Sequence, residues 1–265
     1  MLVLVEVEDR VATVTLNRPE ARNAISSELH RELDAAITDL DRRDDVGCIV
    51  LTGADPAFCA GMDLKSLATE RRLDQQERQR NPIRFDGMMP PHDAPIIGAI
   101  NGPTVTGGLE LAMCCDFLVA SERASFADTH ARVGVMPGGG MTIRLPQLIG
   151  IDRARRMSFT GDFIDAATAR DWGLVVEVVP HEALLGRARE LAATVASIPN
   201  DYIREFKRGY DEMSSLLGAD ALAAENRWSR GWMEQRFDQG RLATEREKIV
   251  ARGRAQNTGP DDPSA

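Results

Sequence analysis

No stretch of this chain approaches the ~18 consecutive apolar residues that a membrane-spanning helix needs. Basic runs are missing too. Lys and Arg total 32 against 41 Asp and Glu, a formal net charge of −9. An acidic chain without a Lys/Arg cluster is poorly suited to nucleic acid or to an anionic membrane surface, and neither is expected as a partner. Cysteine is scarce: Cys48, Cys59, Cys114 and Cys115 stand in apolar surroundings without metal-ligand spacing. They read as free thiols of a reducing cytoplasm, and no metal is expected. The first residues alternate like a strand and carry acidic groups, which argues against a signal peptide. There is no Gly-x-Ser-x-Gly elbow, no His-Glu-x-x-His helix and no Walker loop. Pro137-Gly-Gly-Gly140 lacks the Lys-Ser/Thr that completes a phosphate loop.

What is present suits a substantial globular core. The 265 residues are 43% hydrophobic, enough for one large domain or two small ones. Residues 3–8 and 11–16 alternate around Asp9-Arg10 and predict an opening hairpin. Ser26-Ser27 offers an N-cap, and Leu29, Leu33, Ala36, Ile37 and Leu40 follow on one helical face. Strands are predicted over 48–51, 96–100, 117–120, from Phe126, and over 175–179. Helices are predicted over 109–115 and 181–198, the latter stopped by Pro199. This alternation points to an α/β fold with parallel strands. Residues 70–87 are charged and Gln-rich with little periodicity, and read as a mobile or partner-dependent segment over a pocket.

The segment 101–110, Asn-Gly-Pro-Thr-Val-Thr-Gly-Gly-Leu-Glu, joins a buried strand to a buried helix. Gly107 and Gly108 lack a Cβ, so a ligand atom can approach their backbone. Unpaired N–H groups at such a helix start suit a developing oxyanion, and Glu110 one turn in suits a base. The plainer reading is a glycine turn with a hydrogen-bonded core glutamate. A second strand–turn–helix unit lies upstream, where Cys59, Ala60 and Gly61 are small enough to turn another N–H toward the same place.

Together these segments resemble the two oxyanion-hole motifs of the crotonase (enoyl-CoA hydratase/isomerase) superfamily. Leu16-Asn-Arg-Pro-Glu-Ala-Arg-Asn-Ala24 resembles the opening motif of that family, and Ala60-Gly-Met-Asp-Leu64 the first core motif. Gly134-Val-Met-Pro-Gly-Gly-Gly140, Arg144-Leu-Pro146, Ile149-Gly150, Thr160-Gly161 and Gly173-Leu-Val175 follow in the family's order. The resemblance implies a crotonase-like spiral of ββα units over residues 1–200. It also implies a helical C-terminal region, 201–252, used in assembly of a homotrimer or a dimer of trimers. Residues 253–265 read as a frayed tail.

By the same resemblance, the substrate is an acyl-CoA thioester, with no permanently bound cofactor. The backbone N–H groups of Met62 and Gly107 would hold the thioester oxygen. Met62, larger than the alanine common there, would narrow the acyl pocket. Glu110 would match the first catalytic glutamate of the hydratases. The family's second glutamate stands twenty positions further on, where this chain has His130. An imidazole can accept a hydrogen bond from water and an imidazolium can donate a proton, so His130 either replaces that glutamate or lines the pocket. Asp128 is a weaker candidate, facing the same side only if the segment is extended. Arg22, Ala60, Asp63, Leu64 and Gly108 would contact substrate or coenzyme A, with Lys207 and Lys248 as further phosphate candidates. His30, His92 and His181 read as surface or turn residues. The implied activity is hydration of trans-2-enoyl-CoA. The alternatives are double-bond isomerisation by Glu110 alone, and a non-catalytic binding protein.

Overall fold

In the computed structural model, the described residues are 1–63, 88–215, 226, 227, 229–231, 233–235, 240, 248, 250 and 251. Leu64, the 70–87 segment and the tail 253–265 lie outside them.

Strands β1 (Val3–Glu8) and β2 (Val11–Leu16) form the expected hairpin, with Val5 opposite Val14. Asp9 and Arg10 both take positive φ, 47° and 66°, the combination whose twist suits a two-residue hairpin. Helix α1 (Ser27–Asp41) begins where Ser26 Oγ accepts the Leu29 N–H, and it buries Leu29, Leu33, Ile37 and Leu40. Next come β3 (Cys48–Gly53), β4 (Ile96–Ile100), β5 (Thr104–Val105) and α2 (Gly107–Ala112). They are followed by β6 (Phe117–Ser121), β7 (Ser125–Ala127) and α3 (His130–Val133). Then come α4 (Met141–Ile149), α5 (Ile151–Thr160), β8 (Ile164–Asp165), α6 (Ala166–Trp172) and β9 (Glu177–Val179). After a short 3-10 turn, α7 (Leu184–Ala196) and α8 (Asn200–Ser215) follow. None of the described helices is long and apolar enough to cross a membrane.

The larger sheet runs β1-β2-β3-β4-β6-β9 and is parallel beyond the hairpin; β5-β7-β8 form a smaller one. Both faces of the central strands are covered, which explains their unbroken apolar runs. Ile49 and Leu51 join the main core with α1, while Cys48 and Val50 join a second core with Ala188, Ala192 and Ala196 of α7. The units β4–β5–α2 and β6–β7–α3 are successive ββα turns. Because β4 pairs with β6 and β5 with β7, the starts of α2 and α3 lie side by side.

Helix α8 is clamped by charge to the N-terminal ends of the interior strands β4 and β6. Lys207 Nζ lies 2.9 Å from both Asp116 and Asp211, and Asp116 also accepts the Ile96 N–H at 2.7 Å. Lys207, a phosphate candidate by the resemblance, has its ammonium taken up here by Asp116, 91 positions away, and by Asp211, one helical turn on. Burial opposes the charge, but Asp116 and then Asp211 outweigh it and hold Lys207 above the ordinary lysine value of 10.5. A raised value stabilises the fold fully below pH 10.5 and ceases to do so as pH rises through the folded-state value. We expect Lys207→Met to cost about 1.5–3 kcal/mol at pH 7, the scale for hydrogen bonds to charged groups. Urea titrations at pH 7 and above pH 11 check this; an equal deficit at both pH values contradicts the account.

Candidate active site

The turn into α2 is strained and tied to its neighbour. Thr106 adopts φ 55° and ψ −111°, which for a non-glycine residue typically costs about 1–3 kcal/mol. Its N–H donates to Ala127 O at 2.9 Å, and its hydroxyl accepts the Thr129 N–H at 3.0 Å. The Thr106 and Thr129 hydroxyls also meet at 2.6 Å. The loop that opens α2 is thereby fastened to the loop that opens α3.

The other wall is the segment around Met62. Ile25 N–H donates to Gly61 O at 2.8 Å and Asp63 N–H to Ile25 O at 2.9 Å, which fixes the peptide between them. A Cβ on Gly107 would stand 3.4 Å from Met62 N, so the two amides are close neighbours. Among the described residues, neither the Met62 nor the Gly107 N–H donates to a protein acceptor. Met62 is 39% exposed, while Gly107 is buried. Gly108 plays a different part. A Cβ there would stand 2.2 Å from Cys59 O, so this glycine permits backbone-to-backbone packing.

Glu110 is only 3% exposed. Its Oε1 accepts the N–H groups of Gly139 and Met141 at 2.9 and 3.3 Å, so the 137–140 turn folds over the carboxylate. Its Oε2 faces His130 Nε2 at 3.8 Å. The opposite ring nitrogen, Nδ1, lies 2.7 Å from Asp128 Oδ1. Asp128 Oδ2 accepts the Ser158 hydroxyl at 2.6 Å. Burial alone would raise the Asp128 carboxyl, but the bond to His130, its charge, and the Ser158 bond hold it below the ordinary 3.8. Strand β7 stops at Ala127, so Asp128 turns toward the imidazole. Sequence reasoning missed Ser158 and the two amides on Glu110. All three come from segments about 30 positions away, and no local pattern marks them.

Three of the predicted coenzyme A residues share one stretch of backbone. Ala60 N–H donates to Arg22 O at 3.0 Å, which brings Arg22, Ala60 and Asp63 onto one edge. Arg22 is exposed; the Asp63 carboxylate lies 2.7 Å from Arg18 Nη1. Cys59 is fully buried, and burial pushes its thiol up to about 12, which suits packing and not nucleophilic attack. His181 departs from its surface reading: its ring bridges Ser121 and Asp55, each at 3.0 Å. Among the described residues, no His, Cys, Asp and Glu group has the geometry of a metal centre.

Stacked strand–strand–helix turns that set successive helix starts side by side give this chain the crotonase fold, and solved structures share it. An enoyl-CoA hydratase from Mycobacterium smegmatis superposes with a TM-score of 0.80 at 46% identity, over 88% of this chain and 99% of its own. One from Mycobacterium avium gives 0.80 at 45% identity, over 88% and 98%. In sequence, a probable enoyl-CoA hydratase of Mycobacterium tuberculosis is 36% identical over 225 residues, 85% of this chain and 87% of its own length. The profile of the enoyl-CoA hydratase/isomerase family matches residues 6–251, and the chain belongs to that family.

Proposed function

We propose that this enzyme hydrates trans-2-enoyl-CoA to 3-hydroxyacyl-CoA. The observation that carries the reading is the buried Glu110–His130 pair, 3.8 Å apart, beside the Met62 and Gly107 amides. In this reading the two N–H groups hold the thioester oxygen as it gains enolate charge; losing one such donor typically costs about 10²–10³ in rate. Glu110 takes a proton from water as the oxygen bonds to the β-carbon. The His130 imidazolium returns a proton to the α-carbon through Nε2. The amides on Glu110 Oε1 keep the carboxylate aimed. Arg22, Ala60 and Asp63 contact coenzyme A, as Leu64 does by the family resemblance, Gly108 acts by letting α2 pack against Cys59, and Met62 narrows the acyl pocket.

The same reading has residues 1–200 as the catalytic core, with no resident cofactor, and 201–252 as the surface that builds a homotrimer or a dimer of trimers. Tyr202, Phe206 and Tyr210 form a stripe along α8 that is 65%, 69% and 74% exposed, in keeping with such an interface. Four free cysteines suit a cytoplasmic setting.

Loss of the conjugated-thioester absorbance of crotonyl-CoA tests the reaction. Rapid loss is expected, slowed about 10²-fold or more in His130→Ala. No loss despite measurable acyl-CoA binding sinks the hydratase reading. Conversion of a β,γ-enoyl-CoA that needs Glu110 but not His130 would instead establish the isomerase.

A further inference from the structure

We propose that Asp128, backed by Ser158, is the positioning residue that holds the His130 imidazole with Nε2 toward Glu110. The inference rests on the reading of His130 as the second proton-handling group. Helix α3 has only four residues, and its N-cap residue Thr129 makes no side-chain cap bond, so the helix itself does little to orient the ring. Asp128 does more. Its Oδ1 accepts the His130 backbone N–H at 3.1 Å and faces Nδ1 at 2.7 Å. Its Oδ2 is fixed by Ser158 at 2.6 Å, from a different helix. Asp128 is 1% exposed, so water has little opportunity to replace these bonds.

An ionised carboxylate only accepts hydrogen bonds, so the proton between the two side chains belongs to Nδ1. Nε2 is then the working nitrogen: it carries a lone pair in the neutral ring and a proton in the cation. In both states it faces Glu110 Oε2 at 3.8 Å. Among the described residues, the charged groups facing the ring include Asp128 from the β7–α3 loop and Glu110 from α2. From α5 the contact is the neutral Ser158 hydroxyl. Arg132, on His130's own helix, donates to Thr160 O, away from the ring. With the Asp128 charge removed, an anion that favours the imidazolium is lost. Activity that requires the imidazolium then fails at a lower pH.

The test is the crotonyl-CoA reaction of the full chain in Asp128→Asn, Ser158→Ala and His130→Ala variants. Asp128→Asn is expected to lower kcat about 10²-fold. KM should stay within a few-fold, and the alkaline limb of the pH profile should move to lower pH. Ser158→Ala should move both in the same direction by less. If His130→Ala is slow while Asp128→Asn keeps wild-type kcat and pH profile, the positioning role is overturned and the His130 reading stands. Full activity in His130→Ala overturns both. Should Asp128→Asn fail to fold, ring ¹⁵N shifts in the wild-type protein decide the matter. Nδ1–H in the neutral His130 ring is expected, and a neutral Nε2–H form overturns the proposal.

Discussion

Glu110→Gln should slow crotonyl-CoA hydration by about 10³-fold while leaving the protein folded. General acid–base groups contribute about 10²–10⁴ in rate, and the carboxylate here is the group proposed to take the proton from water. The substitution removes little else. A glutamine side-chain oxygen can still accept the Gly139 and Met141 N–H groups that now bond Oε1. The volume is conserved, so the 137–140 turn keeps its seat over the side chain. The Met62 and Gly107 amides are untouched, and KM should stay within a few-fold. Rates would be read beside the thermal midpoint of each protein. A kcat within tenfold of wild type, at an unchanged midpoint, would remove Glu110 from the mechanism.

Gly108→Ala should produce the largest structural effect. The added Cβ meets Cys59 O at 2.2 Å, Cys59 C at 2.8 Å and Cys59 Cβ at 2.9 Å. Backbone atoms cannot swing aside as a flexible side chain can, so either α2 or the 58–62 segment must move. Overpacking of this kind typically costs about 1–3 kcal/mol. The position makes it worse, because the 58–62 segment carries Met62, whose N–H is proposed to hold the thioester oxygen. Loss of stability and near-total loss of hydration should therefore appear together. Gly107→Ala is the control. Its Cβ would meet Met62 Cγ and N at 3.4 Å and Gly61 Cα at 3.7 Å, so its fold should survive with a rate defect alone. Denaturant midpoints for both variants decide the point. A Gly108→Ala protein as stable as wild type would show that the close approach to Cys59 does not constrain the fold.

Legibility in the sequence followed locality. The hairpin at Asp9-Arg10, helix α1 behind Ser26 and strand β4 were all readable, since turn chemistry, capping and periodicity act within a few residues. Glu110 stood out because two glycines precede it at a strand-to-helix turn. His130 stood out by its place relative to Glu110, but its bond to Asp128 depended on where β7 ends, which alternation over three residues does not fix. The amides on Glu110 and the hydroxyl on Asp128 arrive through tertiary folding. So do the Asp116 carboxylate that meets Lys207 and the pair that His181 bridges. Asp116 and Lys207 are 91 positions apart, and Asp55 and His181 are 126 apart. The boundaries of α4, α5 and α6 were equally hidden. In α5 only Ala154 and Met157 are buried, too thin a stripe to mark the helix.

The stacked ββα turns also have an evolutionary consequence. Glu110 belongs to one turn and His130 to the next, each at the end of its own pair of strands, and backbone pairing between strands sets their separation. The two positions therefore behave as interchangeable fittings on a common rack. A glutamate at one can give way to a histidine with an aspartate brace while the other fitting and the amides stay in place. On the proposed reading, substitution at a single helix start would retune the proton chemistry and leave the amides proposed to hold the thioester in place.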